Sequence, residues 1–375
     1  MGKRWSNIFH LGIKELYGLR TDPVLMVLIV YVFSYAVYAV ATGAKFEVEN
    51  AAVAIVDEDR SELSRQIGAA LLPPFFKTPD YIDPRQMEAV LDQGKYVFVL
   101  DIPPEFEADL LAGRRPALQI NVDATAMTQA GNGAVYLQNI IMQEAVKYAT
   151  GQEKAAPLPV DLVIRAKFNP NFRSVNFNAI MQIINNITIL AIILTGAALI
   201  REREHGTVEH LLVMPVVPTE IMLAKIWANG LVIIVGAILS LWLVAHELLE
   251  VPIAGSVPLF IVGAVLYLFS VTALGILLAT FTGSMPQFGL LVIPVLVMMY
   301  LLSGSTTPLE SMPVWLQNVM QLSPSTHFVA FSQAILYRGA GLDIVWPDLL
   351  AIIGISGVYF LISLARFRKA IASFH

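Results

Sequence analysis

The 375-residue chain contains no cysteine, which excludes disulfide bonds, thiolate nucleophiles and cysteine-ligated zinc or iron–sulfur sites. Charge is also scarce, because Asp, Glu, Lys and Arg make up 14% of the residues and hydrophobic residues make up 56%. A soluble domain typically has about 25% charged residues, and the mean hydropathy of this chain is +0.66. The composition therefore predicts an integral membrane protein.

Two kinds of energy-supplying site are missing from the sequence. No Gly-x-x-x-x-Gly-Lys-Ser/Thr motif occurs, so we expect no phosphate-binding loop and no ATP hydrolysis on this chain. The interiors of the long apolar segments lack the Asp, Glu, Lys or Arg that relays protons or sodium ions in pumps. The net charge of −5 also offers no basic surface for nucleic acid. The chain is thus expected to be a non-enzyme with no catalytic residues, no metal and no cofactor of its own.

Six apolar segments predict six transmembrane helices, since about 20 helical residues cross the hydrocarbon core of a bilayer. They cover residues 24–42, 177–200, 226–245, 257–281, 287–302 and 348–365. An even number of spans puts both termini on the same side. Lys and Arg concentrate in three flanks: Lys3, Arg4, Lys14 and Arg20; Arg201, Arg203 and Lys225; and Arg366, Arg368 and Lys369. Because basic flanks stay inside, both termini and the loop at Arg201 are predicted to be cytoplasmic.

This topology places residues 43–176 outside the cytoplasm, as an extracytoplasmic α/β (α+β) domain inserted between helices 1 and 2. Its length is that of an ordinary folded domain. Strands are predicted at residues 52–57, 96–100, 118–122 and 162–168, and helices after Ser61, after Asp83, after Pro103 and over residues 136–148. Ser61 and Asp83 are the expected N-caps.

Two further segments are predicted to touch the membrane without crossing it. Residues 5–19 form an imperfect amphipathic helix, expected in the inner interface, which together with span 1 makes up residues 1–42. Residues 303–345 are too polar and proline-rich to span, yet residues 313–322 and 328–336 are helix-like. This stretch is expected to re-enter the outer leaflet, which is tolerated only where it is buried against protein. It belongs with the last five spans in residues 177–375.

The most conspicuous charged run is residues 201–212, between the second and third apolar segments. It carries both signs, so a lipid surface alone does not account for it. A docking helix for a soluble partner and a solvated loop are the two readings. His205 and His210 are five residues apart, about 140° around a helix, and this spacing argues against a zinc site with Glu209.

Polar and aromatic side chains inside the spans leave two alternatives open. Asn185 and Asn186 are either interhelical hydrogen-bonding groups or substrate contacts. Tyr31, Tyr35 and Tyr38 share one face of span 1 and form either a packing seam or a substrate path.

These motifs resemble those of ABC-2 type transporter permeases, the transmembrane subunits of type V ABC exporters. The resemblance is carried by the run Arg201–Leu212 with Pro215, by residues 284–287, and by Ser303-Gly304 with Pro308, Pro313 and Pro324. The large outer insertion resembles that of the bacterial inner-membrane subgroup that includes drug and linearmycin exporters. The resemblance covers essentially the whole chain and implies a bacterial inner (cytoplasmic) membrane location.

The resemblance implies a coupling helix at residues 201–212 that docks a separate ATP-binding subunit, where ATP and Mg²⁺ would bind. The implied docking residues are Glu202, Glu204, His205, Gly206, Thr207, Glu209, His210, Leu212 and Pro215. The implied re-entrant residues are Ser303, Gly304, Pro308, Pro313 and Pro324. Further implied partners are a second permease half, alike or paralogous, and in some relatives a periplasmic adaptor protein.

The expected function is export of an apolar or amphipathic substrate such as a drug, a lipid or a lipid-linked glycan. The alternative class is a membrane-anchored receptor or scaffold that displays the outer domain and transports nothing. An intramembrane hydrolase is disfavoured, because the nucleophile, metal and acid sets that it needs are missing.

Overall fold

A computed structural model describes residues 2–43, 48, 50–123, 127–151, 169, 173–204 and 216–372. They belong to two compact units, one formed by residues 1–44 and 175–375 and the other by residues 45–174. The predicted strand at 162–168 lies outside the described residues. So do His205, Gly206, Thr207, Glu209, His210, Leu212 and Pro215, and we call residues 205–215 the docking segment.

Among its described residues, the first unit contains six helices that are long and apolar enough to cross a membrane, in agreement with the six-span prediction. An additional helix, α1 (Gly2–Thr21), precedes them. Span 1 is α2 (Pro23–Phe33) with α3 (Tyr35–Gly43), span 2 is α8 (Ser174–Glu204), span 3 is α9 (Pro218–Leu239) continued by a π-helix (Ser240–Leu248), span 4 is α10 (Val257–Thr280), span 5 is α11 (Met285–Leu302), and span 6 is α14 (Leu342–Ala372).

Span 3 begins eight residues earlier than its apolar segment, at Pro218 instead of residue 226. Proline suits the first turn of a helix, where its missing N–H costs no hydrogen bond. The Glu220 carboxylate accepts a hydrogen bond from the Val217 N–H at 3.2 Å. The helix therefore begins at a proline and a capping glutamate that precede the apolar segment, and hydropathy alone does not predict this start.

Span 2 lies at the centre of the unit, since 83% of the residues in its apolar stretch of 18 are buried. Tyr267 of span 4 is fully buried, and its hydroxyl lies 2.6 Å from that of Thr188 on span 2. The Tyr267 ring stacks on Phe328 with 4.1 Å between centroids. Phe328 belongs to a helix between spans 5 and 6, so this helix reaches into the helical core.

That helix is α13 (Pro324–Leu336), which follows the shorter α12 (Val314–Met320). Both occur where the sequence predicts helices in the re-entrant stretch. Most side chains of α13 are buried, including Phe331 and Ser332 at 0% exposure. One nitrogen of the His327 ring lies 3.4 Å from the Asp348 carboxylate, and this contact raises the pKa of His327. The other ring nitrogen lies 2.9 Å from the Gln321 carbonyl oxygen.

The second unit is a four-stranded sheet with helices. Its strands are β1 (Val53–Asp57), β2 (Asp80–Tyr81), β3 (Phe98–Ile102) and β4 (Gln119–Val122), in the order β2-β1-β3-β4. β1 pairs in parallel with β2 and β3, whereas β4 is antiparallel to β3. Its helices are α4 (Glu62–Ala70), α5 (Met87–Asp92), α6 (Phe106–Leu111) and α7 (Met127–Thr150).

Helix starts in this unit follow the cap residues read from the sequence. The Ser61 hydroxyl accepts a hydrogen bond from the Ser64 N–H at 3.0 Å, and Asp83 accepts one from the Arg85 N–H at 2.9 Å. Ile55, Leu100 and Phe98 are fully buried and form the core with residues of α4 and α7. Strands β1, β3 and β4 overlap predicted strands, whereas α7 begins nine residues before the predicted helix at 136–148 and β2 is not predicted. The position of this unit outside the cytoplasm stays a prediction.

Candidate docking site

Span 2 ends in four consecutive charged residues, Arg201, Glu202, Arg203 and Glu204, which we call the charged hub. The Arg201 guanidinium contacts the Asp22 carboxylate at 2.5 Å. Asp22 also caps span 1 by accepting hydrogen bonds from the Val24 and Leu25 N–H groups at 3.1 Å each. The Leu25 N–H and the Arg201 charge hold the pKa of Asp22 below its usual value. The first hub residue therefore ties span 2 to the start of span 1.

The second hub residue belongs to a buried ion cluster. The Lys225 ammonium, 2% exposed, lies 2.9 Å from Glu202 and 2.8 Å from Glu15. Burial by itself raises the pKa of Glu15, but the Lys225 charge and hydrogen bond outweigh it, and the net pKa is lowered. Three elements, α1, span 2 and span 3, thus meet at one ammonium group.

Helix α1 is held on span 3 by two further hydrogen bonds. The Asn7 amide donates to Glu220 at 3.2 Å, and the Trp227 indole N–H donates to the Ile8 carbonyl at 3.1 Å. Trp5, Phe9 and Tyr17 on α1 remain 70%, 57% and 64% exposed within the chain. An amphipathic helix with bare aromatic groups suits the membrane interface, where the sequence places it.

The third and fourth hub residues contact the turn between spans 4 and 5. Arg203 donates to the carbonyl oxygens of Ala279 at 3.2 Å and of Thr282 at 2.7 Å. The Glu204 carboxylate accepts a hydrogen bond from the Met285 N–H at 3.1 Å. The hub therefore contacts spans 1, 3, 4 and 5 from the end of span 2.

The docking role predicted for Glu202 and Glu204 stays a prediction. Each carboxylate also has a contact inside the chain, Glu202 with Lys225 and Glu204 with the Met285 N–H. Sequence reasoning missed Asp22, Glu15 and Lys225 as members of this site. Their signal was charge of either sign at the edges of apolar segments, but charge alone does not identify its partner.

The contacts also group the ends of the spans. Arg366, near the end of span 6, lies over the Phe281 ring in the turn between spans 4 and 5, 4.6 Å from its centroid. The hub binds this same turn, and Asp22 joins α1 to span 1. The end of α1, the end of span 2, this turn and the end of span 6 therefore lie at one end of the bundle.

Asn185 and Asn186 are both buried on span 2. The Asn186 amide donates to the Val32 carbonyl at 2.7 Å, and its oxygen accepts from Gln182 at 2.9 Å. Span 1 breaks at Ser34, two residues after Val32. The amide of Asn186 thus stabilises this break, which favours the packing alternative for that residue.

Tyr31, Tyr35 and Tyr38 are 50%, 61% and 41% exposed on the surface of this chain. The rings of Tyr31 and Tyr35 lie 5.7 Å apart. A face of this kind is available to lipid or to a second permease half, so the packing and substrate-path alternatives both remain open.

The predicted re-entrant residues lie in the connection between spans 5 and 6. Ser303 is 1% exposed, and Gly304 has a φ of 92°, which a residue with a side chain rarely adopts. Pro308 and Pro313 precede a short 3₁₀ turn and α12, and Pro324 begins α13. Their role in transport stays a prediction.

Six apolar helices with a further helix ahead of them define a multi-pass membrane protein, and the comparisons show its family. Residues 23–365 match the ABC-2 family transporter protein model, and the chain belongs to this family. It is 52% identical to the inner membrane transport permease YhhJ of Escherichia coli K12 over 368 residues, 98% of each chain. It is 30% identical to the probable multidrug ABC transporter permease YbhR of the same strain over 362 residues, 96% of this chain and 97% of the relative.

These similarities confirm the family resemblance read from the motifs. The chain is a transport permease subunit of an ABC transporter and a multi-pass inner-membrane protein. Family membership implies an assembly with an ATP-binding subunit and a permease partner.

Proposed function

We propose that this chain is one half of an ATP-driven exporter, in which a separate ATP-binding subunit docks on residues 201–212 and carries the ATP and Mg²⁺. The observation that supports this most is the charged hub, which joins the last turn of span 2 to spans 1, 3, 4 and 5. A force applied to the docking segment next to this hub acts on most of the bundle at once. A membrane-anchored receptor or scaffold, the alternative, is disfavoured by membership of the ABC-2 transporter family.

The substrate is proposed to be apolar or amphipathic and to move outward between this chain and a second permease half. The exposed tyrosine face of span 1 and the apolar surface of span 5 are candidate surfaces for this partner and for the substrate path. The similarity to YbhR, a probable multidrug ABC transporter permease, supports a drug-like substrate. Lipids and lipid-linked glycans are also apolar or amphipathic, so they belong to the same proposed substrate class.

The unit of residues 45–174 is proposed to lie on the outer side, where it can cap the exit or contact a periplasmic adaptor protein. In the cysteine-free chain, a cysteine placed at Thr207 should react only with reagent supplied from the cytoplasm. One placed at Gly113, an exposed turn residue of the outer unit, should react only with external reagent. Labelling of both from the same side would contradict this orientation.

The docking proposal is tested by co-expression with the ATP-binding subunit of the transporter. Glu209→Lys reverses a charge in the docking segment, where like charge facing a basic groove costs several kcal/mol. We expect association and transporter-dependent ATP hydrolysis to fall at least tenfold. Glu202 is not used, because its substitution would also break the Lys225 cluster.

Glu310→Lys is the matched control, since Glu310 is an exposed carboxylate in the connection between spans 5 and 6. It should leave association unchanged. If the Glu209→Lys variant associated fully with the ATP-binding subunit, the proposal that residues 201–212 form the docking surface would be wrong.

A further inference from the structure

Arg203 and Glu204 bind the end of span 4 and the start of span 5, and each side chain has the charge opposite to that of the helix end it contacts. Carbonyl groups at the C-terminal end of a helix carry partial negative charge, and N–H groups at an N-terminus carry partial positive charge. Arg203 donates to Ala279 and Thr282 at the end of span 4, and Glu204 accepts from Met285 at the start of span 5. Two adjacent side chains thus complement two opposite helix ends across one turn.

Glu204 also replaces a missing cap. Ser284 occupies the N-cap position of span 5 but makes no side-chain capping hydrogen bond. The carboxylate that satisfies the Met285 N–H comes instead from span 2, 81 residues earlier in the chain. The start of span 5 is therefore stabilised by the residue that immediately precedes the docking segment.

Of the six spans, span 5 is the least buried against the rest of this chain, since 17% of the residues in its apolar stretch of 18 are buried. Its buried residues are Phe288, Val292 and Met299, whereas Leu290 and Ile293 are 75% and 59% exposed. Pro294 lies inside the helix, where it removes a backbone hydrogen bond and permits bending. A sparsely buried helix whose first turn is bonded to span 2, with a proline farther along, responds to displacement of that turn.

We propose that Arg203 and Glu204 are positioning residues that transmit movement of the docking segment to span 5. This inference rests on the proposed function, because it takes the docking segment as the place where ATP binding exerts force. Arg203 holds the end of span 4, and Glu204 holds the start of span 5. The turn between spans 4 and 5 therefore moves together with the last turn of span 2. Span 5 then changes its position relative to span 6 when the ATP-binding subunits close.

The test uses the complete complex with its ATP-binding subunit in proteoliposomes. Spin labels are attached to cysteines at Val297 on span 5 and Ile353 on span 6, which are 48% and 47% exposed. The chain has no native cysteine, so these are the labelled sites on it. The distance between the labels is measured without nucleotide and with ATP plus vanadate, and ATP hydrolysis and co-purification are measured on the same samples.

We expect a nucleotide-dependent distance change in the parent protein and its loss in Glu204→Ala and in Arg203→Met, with co-purification retained. Glu204→Gln keeps one acceptor oxygen without charge and should reduce the change only partly. Arg203→Lys should also be partial, since one ammonium reaches two carbonyl groups less well than a guanidinium. Glu310→Ala and Arg368→Met, both at exposed positions, are the matched controls.

A variant that binds the ATP-binding subunit and keeps the full distance change after loss of either side chain would overturn the transmission role and leave the proposed function intact. If the parent complex does not form at all, the proposed function fails, and the transmission role fails with it. If the alanine or methionine variant does not fold, the Gln and Lys variants decide. An unchanged distance response in both of them would equally refute the proposal.

Discussion

Replacing Lys225 by methionine is expected to lower the free energy of unfolding by about 3–5 kcal/mol, the usual cost of removing one partner from a buried ion pair. The Lys225 ammonium is 2% exposed and lies 2.8 Å from Glu15 and 2.9 Å from Glu202. Methionine fills a similar volume but leaves the Glu15 and Glu202 carboxylates without the buried ammonium group between them. The measurement is unfolding in mixed detergent micelles, followed by helical signal.

Lys369→Met is the matched control, because Lys369 is exposed near the end of span 6 and should cost little. The double change Lys225→Met with Glu202→Gln should recover part of the loss, since it removes one of the uncompensated charges. A stability of Lys225→Met equal to that of the parent would show that water reaches the cluster and that it does not fasten α1 to spans 2 and 3.

A second large effect is expected from Gly275→Leu in span 4. A Cβ atom at Gly275 would lie 2.8 Å from the Ile192 carbonyl oxygen and 3.1 Å from the Ile192 Cα. Both atoms are backbone, so no side-chain rotation relieves the contact. Small residues allow helices to approach closely inside membranes, and a branched side chain here forces spans 2 and 4 apart.

We expect Gly275→Leu to cost at least about 3 kcal/mol, the upper range of core overpacking. Gly357→Leu in span 6 supplies the control, because a Cβ at Gly357 meets no atom within 4 Å. The membrane-inserted yield and unfolding of the two variants are compared side by side. Equal behaviour of both would show that spans 2 and 4 do not pack as closely as described.

The unit of residues 45–174 illustrates how far local sequence signals reach. Ser61 and Asp83 were read as N-caps, and both accept hydrogen bonds from the first turns that they precede. The strand at residues 118–122 occurs within one residue of its predicted start, as β4. Capping and alternating hydrophobicity act between residues close in the chain, so a single sequence contains them.

The charged hub shows where such reasoning ends. The alternating charges of residues 201–204 follow an apolar segment, and the sequence leaves a docking helix and a solvated loop as alternatives for them. The structure pairs Glu202 with Lys225 and the carboxylate of Glu204 with a helix start 81 residues away. Each charge could satisfy itself with water, lipid, a partner or this chain, and only the packing of the spans selects among them.

The sequence by itself determined the membrane class, the six spans, the helix caps and the family, because hydropathy, cap residues and the ABC-2 motifs are local features. Tertiary structure alone decided that α13 is buried against Tyr267 and that the start of span 5 is capped by Glu204. It also decided that α1 is joined to span 3 through the Glu15–Lys225 ion pair, 210 residues apart. Those contacts join residues far apart in the chain, and their geometry arises only when the helices pack and exclude water from the groups between them.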